Sequence, residues 1–263
     1  MNRYEGRRVL ITGGGSGIGQ ATVLRMLSEG GVVVAADVSE AGLADTVARA
    51  GDVGGRLSTV TMNIADEASV RTGVAAAVQT LGGLDVLVNA AGILRSSHTH
   101  DTSLELFEQV IRVNLVGTFL VIREAIPALL EGETPAVVNF SSTSAMFAHP
   151  YMAAYAASKG GIQSMTHSLA SEYSKQGIRF TSVQPGGVSS GMTDGSGQSQ
   201  QSMGPGLPED IDYELLMKLT PAITPDVGFA GPDKVAGVVA MLASDDGAFI
   251  TGTEVRIDGG THF

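Results

Sequence analysis

The sequence predicts a single doubly wound α/β domain, in which helices cover both faces of a parallel sheet. Short apolar runs alternate with segments of helical period along the whole chain of 263 residues. The runs are apolar throughout, which is typical of strands buried on both faces. We find no repeat of fixed period and no linker, so one domain over residues 1–263 is expected.

Each apolar run is too short to be a buried helix and is therefore assigned as a strand. The predicted strands are Val9–Ile11, Val32–Ala36, Leu57–Met62, Val86–Val88, Val137–Phe140, Ile178–Val183 and Val255–Ile257. The predicted helices span residues 17–29, 39–50, 66–80, 103–131, 151–175 and 231–243. Ligands bind beyond the carboxyl ends of the strands in such sheets, so the residues at those ends are the first candidates for a functional site.

Composition excludes several classes of function. Charged residues make up only 16% of the chain and the formal net charge is -11, which argues against nucleic acid or an anionic membrane as a partner because both need a basic face. The chain has no cysteine, so disulfides, a thiolate nucleophile and cysteine-ligated metals are excluded. No signal peptide or membrane span is recognisable, and a cytoplasmic protein is expected.

A glycine-rich turn, Thr12-Gly-Gly-Gly-Ser-Gly-Ile-Gly19, follows the first strand and opens a helix. The free N–H groups and the dipole at the start of such a helix suit a pyrophosphate. The turn does not fit the strict G-x-G-x-x-G pattern, and it is no P-loop, because Gln20 stands where a lysine is required. Dinucleotide binding is favoured over the alternative, a turn needed only for tight packing.

The second strand ends at Asp37, eighteen residues beyond Gly19. An acid at this position bonds the 2'-hydroxyl of an adenosine ribose and repels a 2'-phosphate, so NAD is predicted in preference to NADP. The alternative is that Asp37 is a turn or helix-capping residue before Ser39.

Asn114 is a polar residue in an otherwise mostly apolar helical stripe. The stripe consists of Phe107, Ile111, Asn114, Thr118 and Ile122. A buried amide must find hydrogen-bond partners. Asn114 is therefore either a satisfied structural asparagine or a residue that holds a water or a bent helix for catalysis.

Tyr155 and Lys159 lie four residues apart, on the same face of a predicted helix. They continue an apolar stripe formed with Tyr151, Ile162 and Leu169, so Lys159 points inward. A buried ammonium is costly unless it has a partner or a function. One turn from a tyrosine it would stabilise the tyrosinate and pull the phenol pKa from about 10 toward neutrality, which suits a proton-transferring group.

Taken together, these motifs resemble the short-chain dehydrogenase/reductase family over essentially the whole chain. The matching motifs are the turn from Thr12 to Gly19, Asn89-Ala-Ala-Gly92, Asn114, Ser142, Tyr155-Ala-Ala-Ser-Lys159 and Pro185-Gly186. The resemblance implies a Rossmann-type domain with a seven-stranded parallel sheet and a nicotinamide cofactor. It also implies that Tyr155 is the acid/base and that Lys159 lowers its pKa and holds the nicotinamide ribose. Ser142 would orient the substrate oxygen, and Asn114 would support a water relay.

The resemblance also implies a set of cofactor contacts, in which residues 185–188 line the nicotinamide and Ser190 stands where threonine is common. The predicted cofactor-binding residues are Gly13, Ser16, Gly17, Ile18, Gly19, Asp37, Asn63, Ile64, Asn89, Ala90, Gly92, Tyr155, Lys159, Pro185, Gly186, Val188 and Ser190. Three positions depart from the family pattern: Asn63 replaces a frequent aspartate, Ala90 a second asparagine and Ala145 a glycine. No metal site is predicted, because a solvated loop is favoured for His98-Thr99-His100-Asp101, and His262 is expected to be an end contact of an oligomer.

A substrate loop is predicted over residues 188–228, because the glycine- and glutamine-rich stretch 189–206 supplies little that could pack. A short helix is expected over Tyr213–Leu219, and the alternative to a lid is a mobile surface excursion. Candidate pocket residues are apolar and favour a lipophilic or cyclic substrate. They are Leu94, Met146, Phe147, Tyr151, Met192, Leu215 and Leu216.

The leading functional prediction is an NAD-dependent oxidoreductase that interconverts a secondary alcohol and a ketone. The alternatives are a 3-oxoacyl thioester reductase and a non-catalytic module that senses a dinucleotide. A face of small side chains on the helix around Tyr155 lets another helix approach closely, and with the family resemblance it predicts a homotetramer. That face consists of Ala153, Ala157, Gly160, Gly161 and Ser164.

Overall fold

The computed structural model describes residues 2–194, 204–223 and 229–262. It contains one parallel sheet of seven strands in the order β3-β2-β1-β4-β5-β6-β7. The strands are β1 Arg8–Thr12, β2 Val32–Asp37, β3 Leu57–Thr61, β4 Val86–Asn89, β5 Ala136–Phe140, β6 Arg179–Pro185 and β7 Thr253–Ile257. The predicted fold class is confirmed, and each strand lies within two residues of its predicted bounds.

Helices connect the strands and cover both faces of the sheet. They are α1 Gly17–Ser28, α2 Glu40–Ala50, α3 Glu67–Leu81, α4 Leu104–Ile111, α5 Gly117–Leu130, α6 Ala153–Tyr173, α7 Gly191–Asp194, α8 Tyr213–Met217 and α9 Pro232–Ala243. Polar side chains begin several of them: Ser39, Asp66, Ser103 and Asp212 each accept a hydrogen bond from a main-chain N–H of the first turn.

The core has two layers because successive residues of each central strand face opposite sides of the sheet. Val9 and Ile11 of β1 pack into a cluster with α1 and α9. Leu10, between them, packs into the second cluster with α3 and α5. A strand that supplies both layers must be apolar at every position, which explains the continuous apolar runs in the sequence.

The two edge strands depart from this pattern. In β3 and β7 most residues are half-buried or exposed, whereas β1, β4 and β5 are almost completely buried. The expectation that all strands are apolar throughout is therefore wrong for β3 and β7. An edge strand has a neighbour on one side only and is less completely covered by helices.

The strand order reverses between β1 and β4, which are neighbours although two strands separate them in the chain. β1 continues outward through β2 and β3, and β4 continues in the other direction through β5, β6 and β7. A doubly wound sheet opens a crevice beyond the carboxyl ends of the strands at such a reversal. This crevice lies beside the glycine-rich turn that follows β1.

The predicted helix over 103–131 is divided by a π-helical turn at Arg112–Val116. A π turn contains one extra residue and rotates the preceding helix relative to the following one. Consequently Phe107 is 37% exposed, and Val110 is the buried residue of α4. The predicted stripe holds for Asn114, Thr118 and Ile122, but it is wrong for Phe107 and it leaves Ile111 half-buried.

The run from Leu104 to Leu130 is long and apolar enough to cross a membrane by length and composition alone. Its second half belongs to the core instead: Leu120, Val121, Ala125 and Leu129 are buried in the cluster between α5 and the sheet. Burial of this kind is the character of a core helix.

Candidate functional site

The glycine-rich turn joins β1 to α1 with main chain packed too closely for side chains. Gly13 has φ +71, and a Cβ built there would lie 2.7 Å from the main-chain N of Ala91 beside β4. A Cβ on Gly19 would lie 2.0 Å from the carbonyl oxygen of Gly13. Ser16 is the N-cap residue of α1, but its side chain makes no capping hydrogen bond within the described chain. The first-turn amides of α1 are thus available to an anion, which fits a dinucleotide pyrophosphate.

Asp37 lies at the end of β2 and contacts the glycine-rich turn directly. Its Oδ2 accepts a hydrogen bond from the main-chain N of Gly15 at 3.0 Å, and its Oδ1 accepts one from the main-chain N of Ser39 at 2.9 Å. Each carboxylate oxygen has more than one acceptor site, so Asp37 has further acceptor capacity beyond these two amides. Asp37 therefore performs the turn role that was the alternative prediction, and it also lies where the adenosine ribose is expected.

Two buried side chains behind the turn were missed by the sequence analysis. The Oγ1 of Thr46 on α2 donates a hydrogen bond to the carbonyl oxygen of Gly14 at 2.8 Å. The same oxygen accepts a hydrogen bond from Nε2 of Gln20 at 2.8 Å. Both side chains donate hydrogen bonds to carbonyl oxygens of the turn, Thr46 to Gly14 and Gln20 to Gly15. No local pattern identifies them, because the contact depends on how α2 packs against α1.

The segment after β6 returns to the glycine-rich turn. Gly186 donates its N–H to the carbonyl of Ile257 at 3.0 Å, and a Cβ on Gly186 would lie 2.7 Å from Cβ of Asp258. Val188 is buried. Ser190 lies close to the start of α1, because a Cβ built on Gly17 would be 3.2 Å from the Cβ of Ser190. The predicted cofactor residues at positions 185–190 thus bridge the end of β6 and the start of α1.

The other predicted cofactor residues lie on the β1-β3 side and at β4. Asn63 is exposed, and its Oδ1 accepts a hydrogen bond from the main-chain N of Ala65 at 3.0 Å. Ile64 is buried. Asn89 turns its amide into the core, where Nδ2 donates to Oδ1 of Asn139 at 2.9 Å. Asn89 is therefore part of the link between β4 and β5, and its main chain and Ala90 remain at the crevice.

Ser142 and Tyr155 come together beyond the end of β5. Ser142 follows β5 and is the N-cap of a short 3-10 turn, where its Oγ accepts a hydrogen bond from the main-chain N of Ser144 at 3.2 Å. The hydroxyl group of Ser142 lies close enough to that of Tyr155 to lower the pKa of the phenol. The choice of Ser142 over its neighbours is consistent with this contact, because the hydroxyl of Ser141 instead donates to the carbonyl of Lys159 at 3.1 Å.

Lys159 lies one helical turn after Tyr155 and is only 5% exposed. Its Nζ donates a hydrogen bond to the carbonyl oxygen of Phe140 at 2.7 Å and lies 5.5 Å from the centre of the Tyr155 ring. A Cβ on Gly92 would be 3.6 Å from this Nζ and 3.1 Å from Oδ1 of Asn114. The ends of β4 and β5, the π turn and α6 therefore meet at Lys159.

Asn114 is buried at the centre of the π turn, and its amide is fully hydrogen-bonded. Oδ1 accepts from the main-chain N of Ile93 at 2.8 Å, and Nδ2 donates to the carbonyl of Ile93 at 2.9 Å and to Oγ of Ser158 at 3.0 Å. Ser158 in turn donates to the carbonyl of Tyr155 at 2.7 Å. The alternative of a satisfied structural asparagine thus describes the contacts, and the bent helix of the catalytic alternative is also present. Sequence analysis missed Ser158, although it lies inside the Tyr155–Lys159 motif.

The protonation balance of the tyrosine and lysine differs from the prediction. Burial raises the pKa of Tyr155 to about 12, and the nearby Ser142 hydroxyl, which lowers this pKa, offsets the effect only in part. Burial also lowers the pKa of Lys159 to about 8. The prediction that Lys159 lowers the pKa of the Tyr155 phenol toward about 7 is therefore wrong for the protein groups alone. The low polarity of the site favours the uncharged form of both side chains.

The loop after Ser142 packs against the segment that follows β7. The rings of Phe147 and His262 are stacked with centres 4.2 Å apart, and Nε2 of His149 lies 3.2 Å from Oγ1 of Thr143. Burial, together with the His262 imidazole, lowers the pKa of His149 to about 4. The ring of His262 packs against Phe147 of its own chain, and its role as an end contact of an oligomer stays a prediction.

The predicted substrate loop is only partly described. Residues 195–203 and 224–228 lie outside the described chain. Of the candidate pocket residues, Leu94 is buried, Met146 is exposed, and Leu215 and Leu216 lie on α8, which ends at Met217 rather than Leu219. Tyr151 precedes α6 and so is not part of its helical stripe.

Comparison with known proteins gives a consistent result. The family model for short chain dehydrogenases matches residues 7–201. The 3-oxoacyl-[acyl-carrier-protein] reductase FabG of Thermotoga maritima is 35% identical over 258 residues, covering 98% of both chains. The 2-(S)-hydroxypropyl-CoM dehydrogenase 3 of Xanthobacter autotrophicus is also 35% identical, over 260 residues and 98% of both chains.

Solved structures agree with these matches. A short chain dehydrogenase from Mycobacterium paratuberculosis bound to NAD superposes with a TM-score of 0.88 at 30% identity, covering 98% of both chains. The glycine-rich turn, the Ser142–Tyr155 contact and these whole-chain similarities lead to one conclusion. The chain belongs to the short-chain dehydrogenase/reductase family and is an oxidoreductase with a Rossmann-type fold.

Proposed function

We propose that this protein is an NAD(H)-dependent oxidoreductase that interconverts a secondary alcohol and a ketone. One observation carries the proposal: the Tyr155 hydroxyl has the Ser142 hydroxyl beside it and Lys159 one helical turn away, beyond the strand ends where a dinucleotide would lie. A hydroxyl pair beside a buried cation is suited to move a proton on and off a substrate oxygen.

Each of the four predicted catalytic residues has a distinct role in this proposal. Tyr155 takes the hydroxyl proton of the alcohol during oxidation and returns it during reduction. Ser142 orients the same substrate oxygen. Lys159 stabilises the tyrosinate and holds the nicotinamide ribose, and Asn114 supports a water relay. A bound nicotinamide dinucleotide would accept or deliver the hydride.

The turn residues fit such a cofactor. The uncapped amides at the start of α1 would hold its pyrophosphate. We assign the remaining predicted contacts to the residues that line the crevice, from the turn after β1 to Ser190. This assignment is tested by titrating NAD into variants of the turn.

NAD is proposed over NADP because of Asp37. Its carboxylate already accepts N–H groups from Gly15 and Ser39, so it is fixed in place to accept a ribose hydroxyl and to repel a phosphate. Among the solved relatives, one from Mycobacterium paratuberculosis is bound to NAD and one from Burkholderia cenocepacia is in complex with NADP. The proposal for this chain therefore rests on Asp37.

A lipophilic or cyclic alcohol is the proposed substrate. The candidate pocket residues are apolar, and the cyclohexanol dehydrogenase of Acinetobacter is 33% identical over 260 residues. Similarity to the acyl-carrier-protein reductase favours the alternative, a 3-oxoacyl thioester reductase. The net charge of -11 speaks against an acidic macromolecular substrate. A dinucleotide-sensing module is the second alternative, and the complete Ser142, Tyr155 and Lys159 set speaks against it.

We further propose one cytoplasmic domain that assembles as a homotetramer. Ala153 and Ala157 on α6 are exposed, and among the described residues outside α6 the nearest atom to a Cβ built on Gly160 is the carbonyl oxygen of Ala145, at 3.9 Å. A face of such small residues lets a second helix approach closely. Light scattering at micromolar concentration tests this, and a monomer would contradict it.

The deciding experiment is a panel of secondary alcohols assayed with NAD and with NADP by nicotinamide absorbance. The panel covers cyclic alcohols, sterols, polyols and hydroxyacyl thioesters. Turnover of cyclic alcohols or sterols with NAD is expected. Preference for hydroxyacyl thioesters would favour the reductase alternative. NAD binding without turnover of any member, unchanged in Tyr155→Phe, would favour the sensing module.

A further inference from the structure

Tyr151 has an unusual backbone conformation at the entrance to α6. Its φ is +67, and among the described residues only Thr134 is another non-glycine residue with positive φ. A bulky residue rarely adopts this conformation, and the surrounding contacts must compensate for its energetic cost. The contacts of Tyr151 therefore indicate what the strained conformation achieves.

The main chain and the ring of Tyr151 hold the loop that follows β4. The carbonyl of Tyr151 accepts a hydrogen bond from the main-chain N of Ser97 at 2.9 Å. The rings of His98 and Tyr151 form an edge-to-face contact, with their centres 5.1 Å apart. The left-handed turn thus fixes the direction of the tyrosine side chain just before α6 begins.

The hydroxyl of Tyr151 reaches residues 204–217, which we call the docking segment. It accepts a hydrogen bond from the main-chain N of Asp212, the N-cap residue of α8, at 2.8 Å. Two more contacts join this segment to the loop after β4. His98 Nε2 lies 3.0 Å from Oδ1 of Asp210, and Ser96 donates its N–H to the carbonyl of Pro205 at 2.7 Å.

These contacts are suited to a segment that docks reversibly. The side chain of Asp210 is 83% exposed, and a polar side-chain contact so exposed to water contributes little. Tyr213 and Met217 of α8 face solvent, and Ile211 is the buried apolar residue of the segment. With so little apolar burial, a single hydrogen bond is a substantial part of what holds the segment down.

We propose that Tyr151 is a positioning residue that docks residues 204–217 against the catalytic helix and thereby sets the affinity of the closed pocket for its alcohol. Tyr151 lies two residues before the start of α6, so the docking segment is tied to the beginning of the helix that carries Tyr155. The part of this inference that concerns alcohol affinity rests on the proposed function. The docking itself does not.

Tyr151→Phe removes only the oxygen that accepts from Asp212. We expect KM for the alcohol to rise about three- to tenfold, the range for loss of one neutral hydrogen bond, with kcat and NAD affinity unchanged. A fold defect would lower kcat and NAD affinity as well. The matched control is Tyr213→Phe, the same chemical change within the docking segment, because Tyr213 is 68% exposed.

Trypsin cleavage after Lys218 provides a measurement that needs no substrate. Lys218 is exposed and directly follows α8, so cleavage there reports undocking of the segment. We expect Tyr151→Phe to be cleaved about three- to tenfold faster than the wild type, and Tyr213→Phe to be cleaved at the wild-type rate. Asp210→Asn, which weakens the contact to His98, is expected to accelerate cleavage to a smaller extent.

Unchanged cleavage in Tyr151→Phe, or equal acceleration in Tyr213→Phe, would overturn the inference. If cleavage accelerates as expected while KM stays at the wild-type value, docking is supported and its link to alcohol affinity is refuted. If the wild type oxidises no alcohol, the proposed function fails, and the cleavage comparison still decides whether Tyr151 docks the segment.

Discussion

The buried ammonium of Lys159 predicts a pH dependence of stability that a variant can isolate. Burial lowers the pKa of Lys159 from its usual 10.5 to about 8. Between these pH values the unfolded chain binds a proton that the folded protein has released, so the free energy of unfolding rises with pH over this window. The destabilising effect is complete below pH 8 and is lost above pH 10.5.

The magnitude follows from the same shift. At 1.36 kcal/mol for each pKa unit, the fall from 10.5 to about 8 corresponds to about 3 kcal/mol. Lys159→Met removes the titrating group and keeps an unbranched side chain of similar length. The wild type should therefore gain about 2 kcal/mol of stability relative to Lys159→Met between pH 7 and pH 10, where Tyr155, with a pKa of about 12, stays protonated in the folded protein.

The assay is urea unfolding followed by circular dichroism at several pH values and matched protein concentration. The absolute difference between the two proteins is not informative, because Lys159→Met also leaves the Phe140 carbonyl without its partner. The slope of that difference against pH is informative. Parallel stability curves for the two proteins would refute the reasoning that the ammonium is buried at a cost.

Four further outcomes are expected. Tyr155→Phe should lower turnover by about 100-fold or more while NAD titration stays near the wild type, because the proton acceptor alone is lost; retained turnover would refute the acid/base role. Oxidation by the wild type should become faster as pH rises, since the tyrosinate is the active form, and a rate that falls with pH would contradict this. Asp37→Ala should shift the ratio of kcat/KM values toward NADP by about tenfold, or 1.4 kcal/mol; an unchanged ratio would show that Asp37 does not select the cofactor. Gly19→Ala should abolish NAD binding, because the alanine Cβ would lie 2.0 Å from the carbonyl oxygen of Gly13. An NAD titration close to that of the wild type would show that the turn is not packed this closely.

The sequence alone determined the order of the elements and the positions of the strand ends. An apolar run with no polar alternation must be covered on both faces, so the parallel sheet and its helices follow from local pattern. The spacing of Tyr155 and Lys159 likewise places both on one face of a helix without reference to the rest of the fold. The glycines of the turn were recognisable because only close main-chain packing requires so many together.

Tertiary structure decided what each side chain contacts. The π turn around Asn114 changed which residues of α4 are buried, and no periodicity in the sequence records an inserted residue of this kind. Tyr151 was placed on the wrong element, because its left-handed backbone depends on contacts with a distant loop.

Burial also decided the protonation of the site. The sequence showed that Lys159 lies beside Tyr155, but the pKa of each group depends on how completely the surrounding strands and helices exclude water. Spacing along a helix reports which groups are neighbours. The balance between desolvation and attraction is a property of the whole packed interior, and only the folded arrangement determines it.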